Sequence, residues 1–376
     1  MEKTRFSPML WALVFLFLLV PAAGASAQST CYDFPGGTPQ VVLASSGRFI
    51  ATGAPDSGVI ALFTSKGSPL WAYQTGDHVT GVAISGDGRF IAASSFLGDL
   101  YLLDVNGNLL WNRSGLGCDN RVFLTDDGTR GYVSNLYSAS SMDNFYQFTL
   151  NGTVSLSKSI PSLSMTTLTP DGSSVIGSIW VGGPDYKNDV ALLSEDGTII
   201  WRYTLRNLWY SNIGISHDGN VIAAITRSDG IRIFNRQGMV TANITTKYVG
   251  TSIAVSPDGK LVAAGTQYRV LVYEPDGTPA WNVTYEGYIW QVAFSGDSQY
   301  LAAASENMVY FFDRNGTLLW KGPWRRPQVM EFPYSLSVSY DGNVVAVNTN
   351  YLFDREGNMT VIEPVNIRPV PLPTIL

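Results

Sequence analysis

Two histidines, His78 and His217, and two cysteines, Cys31 and Cys118, are all the imidazole and thiol chemistry in 376 residues. No histidine lies close in sequence to either cysteine, so no activated thiolate is legible. Four such side chains cannot furnish a histidine-rich metal or haem site, and a histidine-centred nucleophile triad is poorly supported. His217 sits in an Asp-Gly turn and His78 in a variable loop, where both read as structural residues. Asp104-Val105-Asn106-Gly107 and Asp313-Arg314-Asn315-Gly316 open like calcium loops but lack the closing glutamate, and they read as turns. Glycine-rich phosphate loops are absent. The expectation is a chain with no catalytic residue, no metal and no cofactor.

Stacking and guanidinium chemistry remain. Aromatic residues make up 12% of the chain, and many fall in irregular segments. Tyr137, Tyr146, Trp180, Tyr186, Trp209, Tyr210, Tyr288, Trp290 and Trp324 are there, with Phe145 and Tyr285 beside them. Arg206, Arg325 and Arg326 accompany these rings. Ring faces suit a glycan, a peptide or a partner's loop, and arginine adds a planar donor fork for anions. The competing reading for each ring is packing of loop against loop.

A repeat positions these segments. Gly67, Gly107, Gly152, Gly197, Gly238, Gly277, Gly316 and Gly357 recur about every 40 residues, each after an Asp-Gly-type turn about 20 residues earlier. Within Val82 to Trp111, four short apolar stretches alternate with Gly86-Asp87-Gly88 and Asn106-Gly107 turns, which is the pattern of four antiparallel strands. No helical stripe of useful length follows the N-terminal segment. One such sheet cannot bury both faces alone, whereas radial stacking buries both. The chain is therefore expected to be all-β, a propeller of eight four-stranded blades over residues 40–365. Seven blades with one degenerate unit is the alternative.

In such a ring the first-to-second and third-to-fourth turns emerge on one face, and the other connections on the opposite face. The first set is short and uniform; the second is variable and aromatic, as recognition loops on a rigid scaffold usually are. Trp71, Trp111, Trp201, Trp281 and Trp320 follow the second glycine at a fixed place and read as inter-blade packing.

Ser256-Pro-Asp-Gly-Lys-Leu-Val-Ala-Ala-Gly265 resembles the WD40-type repeat of β-propellers. Leu103-Asp-Val-Asn-Gly-Asn-Leu-Leu-Trp111 and Phe312-Asp-Arg-Asn-Gly-Thr-Leu-Leu-Trp320 resemble the tryptophan-docking turn of quinoprotein-like propellers. The resemblance spans about residues 40 to 363. The Gly-His and Trp-Asp dipeptides of strict WD40 repeats are absent. The likeness also implies an alternative activity, a quinone-dependent dehydrogenase, although the vicinal cysteine pair and acidic calcium site expected of one are not visible.

The ends and the charge complete the expectation. Lys3 and Arg5, the apolar run Met9 to Val20 and Ala25-Ser26-Ala27 make residues 1–27 an export signal, cleaved after Ala27. Residues 28–39 lead in, and 366–376 form a proline-rich, extended and partly disordered tail. The run is shorter than the roughly 20 residues of a membrane span, so membrane association is expected only if the signal stays uncleaved. In an oxidising compartment Cys31 and Cys118 are candidates for a disulfide, with two unpaired thiols as the alternative. Asn112, Asn151, Asn243, Asn282, Asn315 and Asn358 head Asn-x-Ser/Thr sequons and are candidate glycosylation sites. A net charge of −6 argues against nucleic-acid binding. The functional expectation is a secreted or cell-surface, non-enzymatic platform that binds a protein or glycan partner on its loop-rich face. A structural cell-surface component is a further alternative.

Overall fold

The computed structural model describes residues 40–54, 57–116, 120–135, 145–158, 160, 163–182, 187–206, 208–227, 229–285, 287–324, 335–348, 351–362 and 369–370. Among them there are only strands and their connections, in eight sheets. Blade 1 comprises β1 (Gln40–Leu43), β2 (Phe49–Ala54), β3 (Val59–Thr64) and β4 (Pro69–Gln74). Blade 2 comprises β5 (Val79–Ile84), β6 (Phe90–Ser95), β7 (Leu100–Asp104) and β8 (Leu109–Arg113). Blade 3 holds β9 (Asn120–Leu124), β10 (Arg130–Asn135), β11 (Phe145–Thr149) and β12 (Val154–Lys158). Blade 4 holds β13 (Leu163–Leu168), β14 (Ser174–Gly182), β15 (Lys187–Ser194) and β16 (Ile199–Arg206). Blade 5 is β17 (Leu208–Ile215), β18 (Val221–Thr226), β19 (Ile231–Asn235) and β20 (Val240–Ile244). Blade 6 is β21 (Gly250–Val255), β22 (Val262–Thr266), β23 (Arg269–Tyr273) and β24 (Pro279–Thr284). Blade 7 consists of β25 (Ile289–Phe294), β26 (Tyr300–Ser305), β27 (Met308–Asp313) and β28 (Leu318–Pro323). Blade 8 consists of β29 (Leu336–Val338), β30 (Val344–Val347), β31 (Tyr351–Asp354) and β32 (Met359–Val361). Every blade is an antiparallel meander in chain order. The eight-bladed expectation holds, and the seven-bladed one does not.

Small residues let the blades approach. Ala51, Ala92, Ala93, Ala223, Ala224, Ala263, Ala264, Ala302, Ala303 and Ala346 on the second strands have no solvent exposure. Larger side chains of the neighbouring blade fill the space above them, as where Val41, Leu43 and Ile50 of blade 1 pack with Val344, Ala346 and Leu352 of blade 8. That cluster closes the ring. Ser335 and Ser337 hydroxyls accept from Val41 N (3.1 Å) and Leu43 N (3.4 Å) across the same joint.

The five tryptophans dock as expected. Trp71, Trp111, Trp201 and Trp281 donate Nε1–H to the backbone carbonyls of Val105, Leu150, Arg236 and Arg314 in the following blade, at 2.8, 2.8, 2.9 and 3.0 Å. Each of these four rings lies on the glycine two residues further on. A Cβ on Gly107, itself at φ 84°, would come within 2.8 Å of Trp71 Cγ, so this place admits only glycine. Trp320 covers Gly357 in the same way and stacks between Phe311 and Phe353, 5.1 and 5.3 Å centroid to centroid. A register shift precedes each docked tryptophan, for example between Leu102 and Leu103 opposite Trp111. The bulge re-aims the ring toward the next blade and turns the residue before it, such as Leu110, out to solvent.

The tail, expected to be extended and partly disordered, is described only at two residues. Pro369–Val370 forms β33, paired in parallel with Ala72 and Tyr73 of β4. It is extended, as composition implies, but it is seated on blade 1 because that blade's outermost strand offers an open edge. Cys31, Cys118 and the export segment lie outside the described residues.

Candidate recognition face

The meander sends two kinds of connection to two ends of the disc. At the turn end, seven of the first-to-second turns are built alike. The hydroxyl of Ser85, Thr125, Thr169, Ser216, Ser256, Ser295 or Ser339 donates to the carboxylate two residues on, at 2.6–2.8 Å. Neighbouring turns are then tied around the axis: Ser46 N to Gly86 O, Gly86 N to Asp126 O, Asp126 N to Pro170 O and His217 N to Pro257 O, at 2.8–3.1 Å. His217 is thus a member of this turn ring. Burial pushes its imidazole below the ordinary value, against the opposing pull of Asp126 and Asp218.

The loop end is irregular. β14, β15 and β16 have 9, 8 and 8 residues and carry blade 4 further than the other blades. Trp180, near the end of β14, is 40% exposed, and Arg206, at the end of β16, is exposed as well. Tyr288 and Trp290 stack with ring centroids 4.7 Å apart and planes 12° apart, half-buried at the entrance to blade 7. Tyr285 lies 4.0 Å from the Tyr310 ring, and burial, with Tyr310 beside it, pushes its phenol up. Tyr285 N donates to Tyr268 O at 2.8 Å, tying this loop to the β22–β23 connection.

A second aromatic group adjoins it. Tyr268 is 41% exposed and meets Tyr248 edge to face at 5.9 Å. The Arg269 guanidinium lies 5.4 Å from the Tyr248 ring centroid and donates to Asn282 Oδ1 at 3.2 Å. Arg269 Nε is buried with no acceptor among the described residues. The sequence reading passed over Tyr248, Tyr268 and Arg269 because it searched long connections, and Gln267–Tyr268 is a two-residue turn. The run Gln-Tyr-Arg at a loop-face turn was the available signal.

Other candidates fall elsewhere. Trp324 is only 3% exposed, its indole N–H bonded to Ser305 O at 3.2 Å, and it packs among Phe311, Val345 and Phe353. It is a core ring, packed where blades 7 and 8 meet. Phe145 is fully buried, and Tyr146 packs half-buried against the cluster joining blades 2 and 3. Trp209 and Tyr210 lie in β17, but their side chains, like Tyr137, Tyr186, Arg325 and Arg326, lie outside what the structure describes. Among the described residues no group of three His, Cys, Asp or Glu is placed to hold a metal.

A family profile described as outer membrane protein assembly factor BamB, of the PQQ-like repeat type, matches residues 186–366, from late blade 4 through blade 8. The C-terminal WD40 domain of Sif2 superposes with a TM-score of 0.62 at 16% identity, covering 86% of this chain and 95% of that one. The chain has the β-propeller fold, and its second half resembles the PQQ-like repeat family. Chaetomium thermophilum Sqt1, solved bound to the N-terminus of ribosomal protein L10, gives 0.62 at 14% identity over 87% of this propeller and 97% of that chain. Kuenenia stuttgartiensis hydrazine synthase gives 0.54 at 14% identity over 77% and 99%. At such identities the likeness concerns the fold. No curated protein sequence matches the propeller.

Proposed function

We propose that this propeller is an exported, non-enzymatic platform that grips a protein partner on its loop face, over blades 6 and 7. The observation that carries the reading is the paired aromatic group: the stacked Tyr288–Trp290 rings beside Tyr248, exposed Tyr268 and the Arg269 guanidinium. Rings with one exposed face and a partly satisfied guanidinium suit an extended peptide carrying apolar side chains and a carboxylate. The Sqt1 structure, a propeller holding another protein's N-terminus, supports that mode, and the BamB description supports a role beside an envelope assembly. Glycan recognition uses the same ring faces and is a narrower version of this reading.

The test is cross-linking and pull-down from the producing cells with the full chain and with Tyr268→Ala, Arg269→Ala and both together. The double variant should lose the partner at least tenfold while its melting temperature stays within a few degrees. Unchanged capture would end the reading. A quinone-dependent dehydrogenase is the second reading, invited by the docked tryptophans and by the PQQ-like repeat match. Dye-linked dehydrogenase activity after loading with quinone and calcium would replace the platform by the enzyme.

A further inference from the structure

The outermost strand of each blade is a sheet edge, with backbone groups free to pair with another sheet. On this propeller the wall formed by those strands is also apolar. Leu110, Val240, Leu318, Leu319, Met359 and Val361 are 40–49% exposed there. Blade 1 is guarded by β33, under which Trp71, Ala72 and Tyr73 are 6, 1 and 2% exposed. Blade 4 carries exposed Arg202 and Arg206 on β16. Among the six remaining blades, β8 also carries exposed Arg113 and β28 exposed Lys321, whereas β20, β24 and β32 carry no charged residue.

Those six blades are the ones that hold the six sequons, one in each. Asn112, Asn243 and Asn282 lie within β8, β20 and β24, the outermost strands of blades 2, 5 and 6. Asn151, Asn315 and Asn358 lie in the tight turns that lead into β12, β28 and β32 of blades 3, 7 and 8. All six asparagines are exposed. Asn151 shows how the turn is kept without using the amide nitrogen: its Oδ1 accepts from Thr149 Oγ1 at 2.5 Å and Thr153 N at 3.1 Å. Among the described residues, Nδ2 donates to a partner only at Asn358, to Asp354 Oδ2 at 2.7 Å.

We infer that these six asparagines carry N-linked glycans, and that the sugars guard the sheet edges on or beside which they stand. In the modification, Nδ2 attacks the anomeric carbon of a glycosyl donor activated as a phosphate ester. The Nδ2–C1 bond forms, the C1–O bond to phosphate breaks, one amide proton is lost, and the phosphate leaves with the bonding pair. The sugars would stand on the wall and its turn-side rim, except the one on Asn282, whose Oδ1 accepts from Arg269 and which would adjoin the aromatic group of blade 6. The inference rests on the export reading, because the transfer takes place outside the cytosol.

The experiment is glycopeptide mass spectrometry on the chain recovered from its producing organism, with the location and N-terminus of the chain determined in the same sample. Glycan mass is expected on the peptides spanning Asn112, Asn243 and Asn282 and on those of the three turn sites. Unmodified asparagines in a chain found outside the cell, with its leader removed, would overturn the inference and leave export standing. Unmodified asparagines in a chain retained inside with its leader intact would overturn both. The guarding role has its own test in Ser114→Ala, Thr245→Ala and Thr284→Ala combined, three exposed positions that complete the strand sequons. This variant should fold, lose the three strand glycans and at least double its mean mass in light scattering. A variant that loses them and keeps the parental mass would overturn the guarding role.

Discussion

The two ends of the disc solve opposite problems with the same strands. At the turn end, seven aspartates satisfy their own turns, and backbone bonds tie one turn to the next. At the loop end, strand lengths vary, rings keep exposed faces and Arg269 Nε has no acceptor. Binding groups at the loop end need not contribute to holding the ring together, because the turn end and the docked tryptophans do so. Stability and recognition should therefore separate on mutation.

The largest effect is expected at the docked rings. Trp71→Ala removes a nearly buried indole, its bond to Val105 O and its cover on Gly107. It should cost about 3–5 kcal/mol by leaving a cavity between blades 1 and 2, read as a drop in denaturant midpoint with partner capture at the loop face retained below the transition. Capture lost in parallel with stability would mean that the two ends are not separable. Ending the chain at Ile362 removes β33 and its backbone pairing along Ala72 and Tyr73. A loss of about 1–2 kcal/mol is expected, the net worth of a pair of strand hydrogen bonds.

These two cases show what the sequence makes legible. Trp71 and Gly107 were readable because their roles repeat: the same tryptophan-to-glycine step occurs in five blades, and a repeated pattern is its own control. The blade count followed for the same reason. β33 was unreadable because it occurs once, and proline-rich composition specifies an extended backbone without specifying which edge receives it. Among the candidate residues, Tyr288 and Trp290, read as rings of a long connection, stand half-buried at the loop face, whereas Trp324, read by the same rule, packs in the core. Whether a loop ring faces solvent or folds over a seam depends on contacts between blades that local sequence does not encode. Tyr268 and Arg269 show the reverse error, a short turn that looks passive and presents one of the more exposed rings of the loop face.

A smaller effect belongs to the turn carboxylates. Burial pushes Asp171 up, but hydrogen bonds from Ser173 N (3.0 Å) and Thr169 Oγ1 (2.7 Å) outweigh it and hold the carboxyl below its ordinary 3.8. A depressed folded value stabilises the fold above pH 3.8 and loses that contribution as pH falls through the folded value. Asp171→Ala should therefore cost about 1 kcal/mol near neutrality, and its difference from the parent should shrink in acid. A difference that is constant between pH 7 and pH 3 would show that the carboxylate's charge contributes nothing to the turn.

The smallest stability effect should come from Tyr268→Ala, and it is the sharpest test of the contrast between the two ends. The ring is 41% exposed, touches Tyr248 by its edge, and sits in a turn whose backbone bonds, Gln267 N to Val249 O (3.1 Å) and Tyr285 N to Tyr268 O (2.8 Å), survive the substitution. Surface changes of this kind usually stay within about 0.5 kcal/mol, so the melting temperature should barely move. If the ring is a recognition group, the same variant should weaken the partner by about 2 kcal/mol, the scale of an interfacial aromatic. A stability loss comparable to that of Trp71→Ala would instead make Tyr268 a packing residue, and the loop end would then be held together by the very groups assigned to binding.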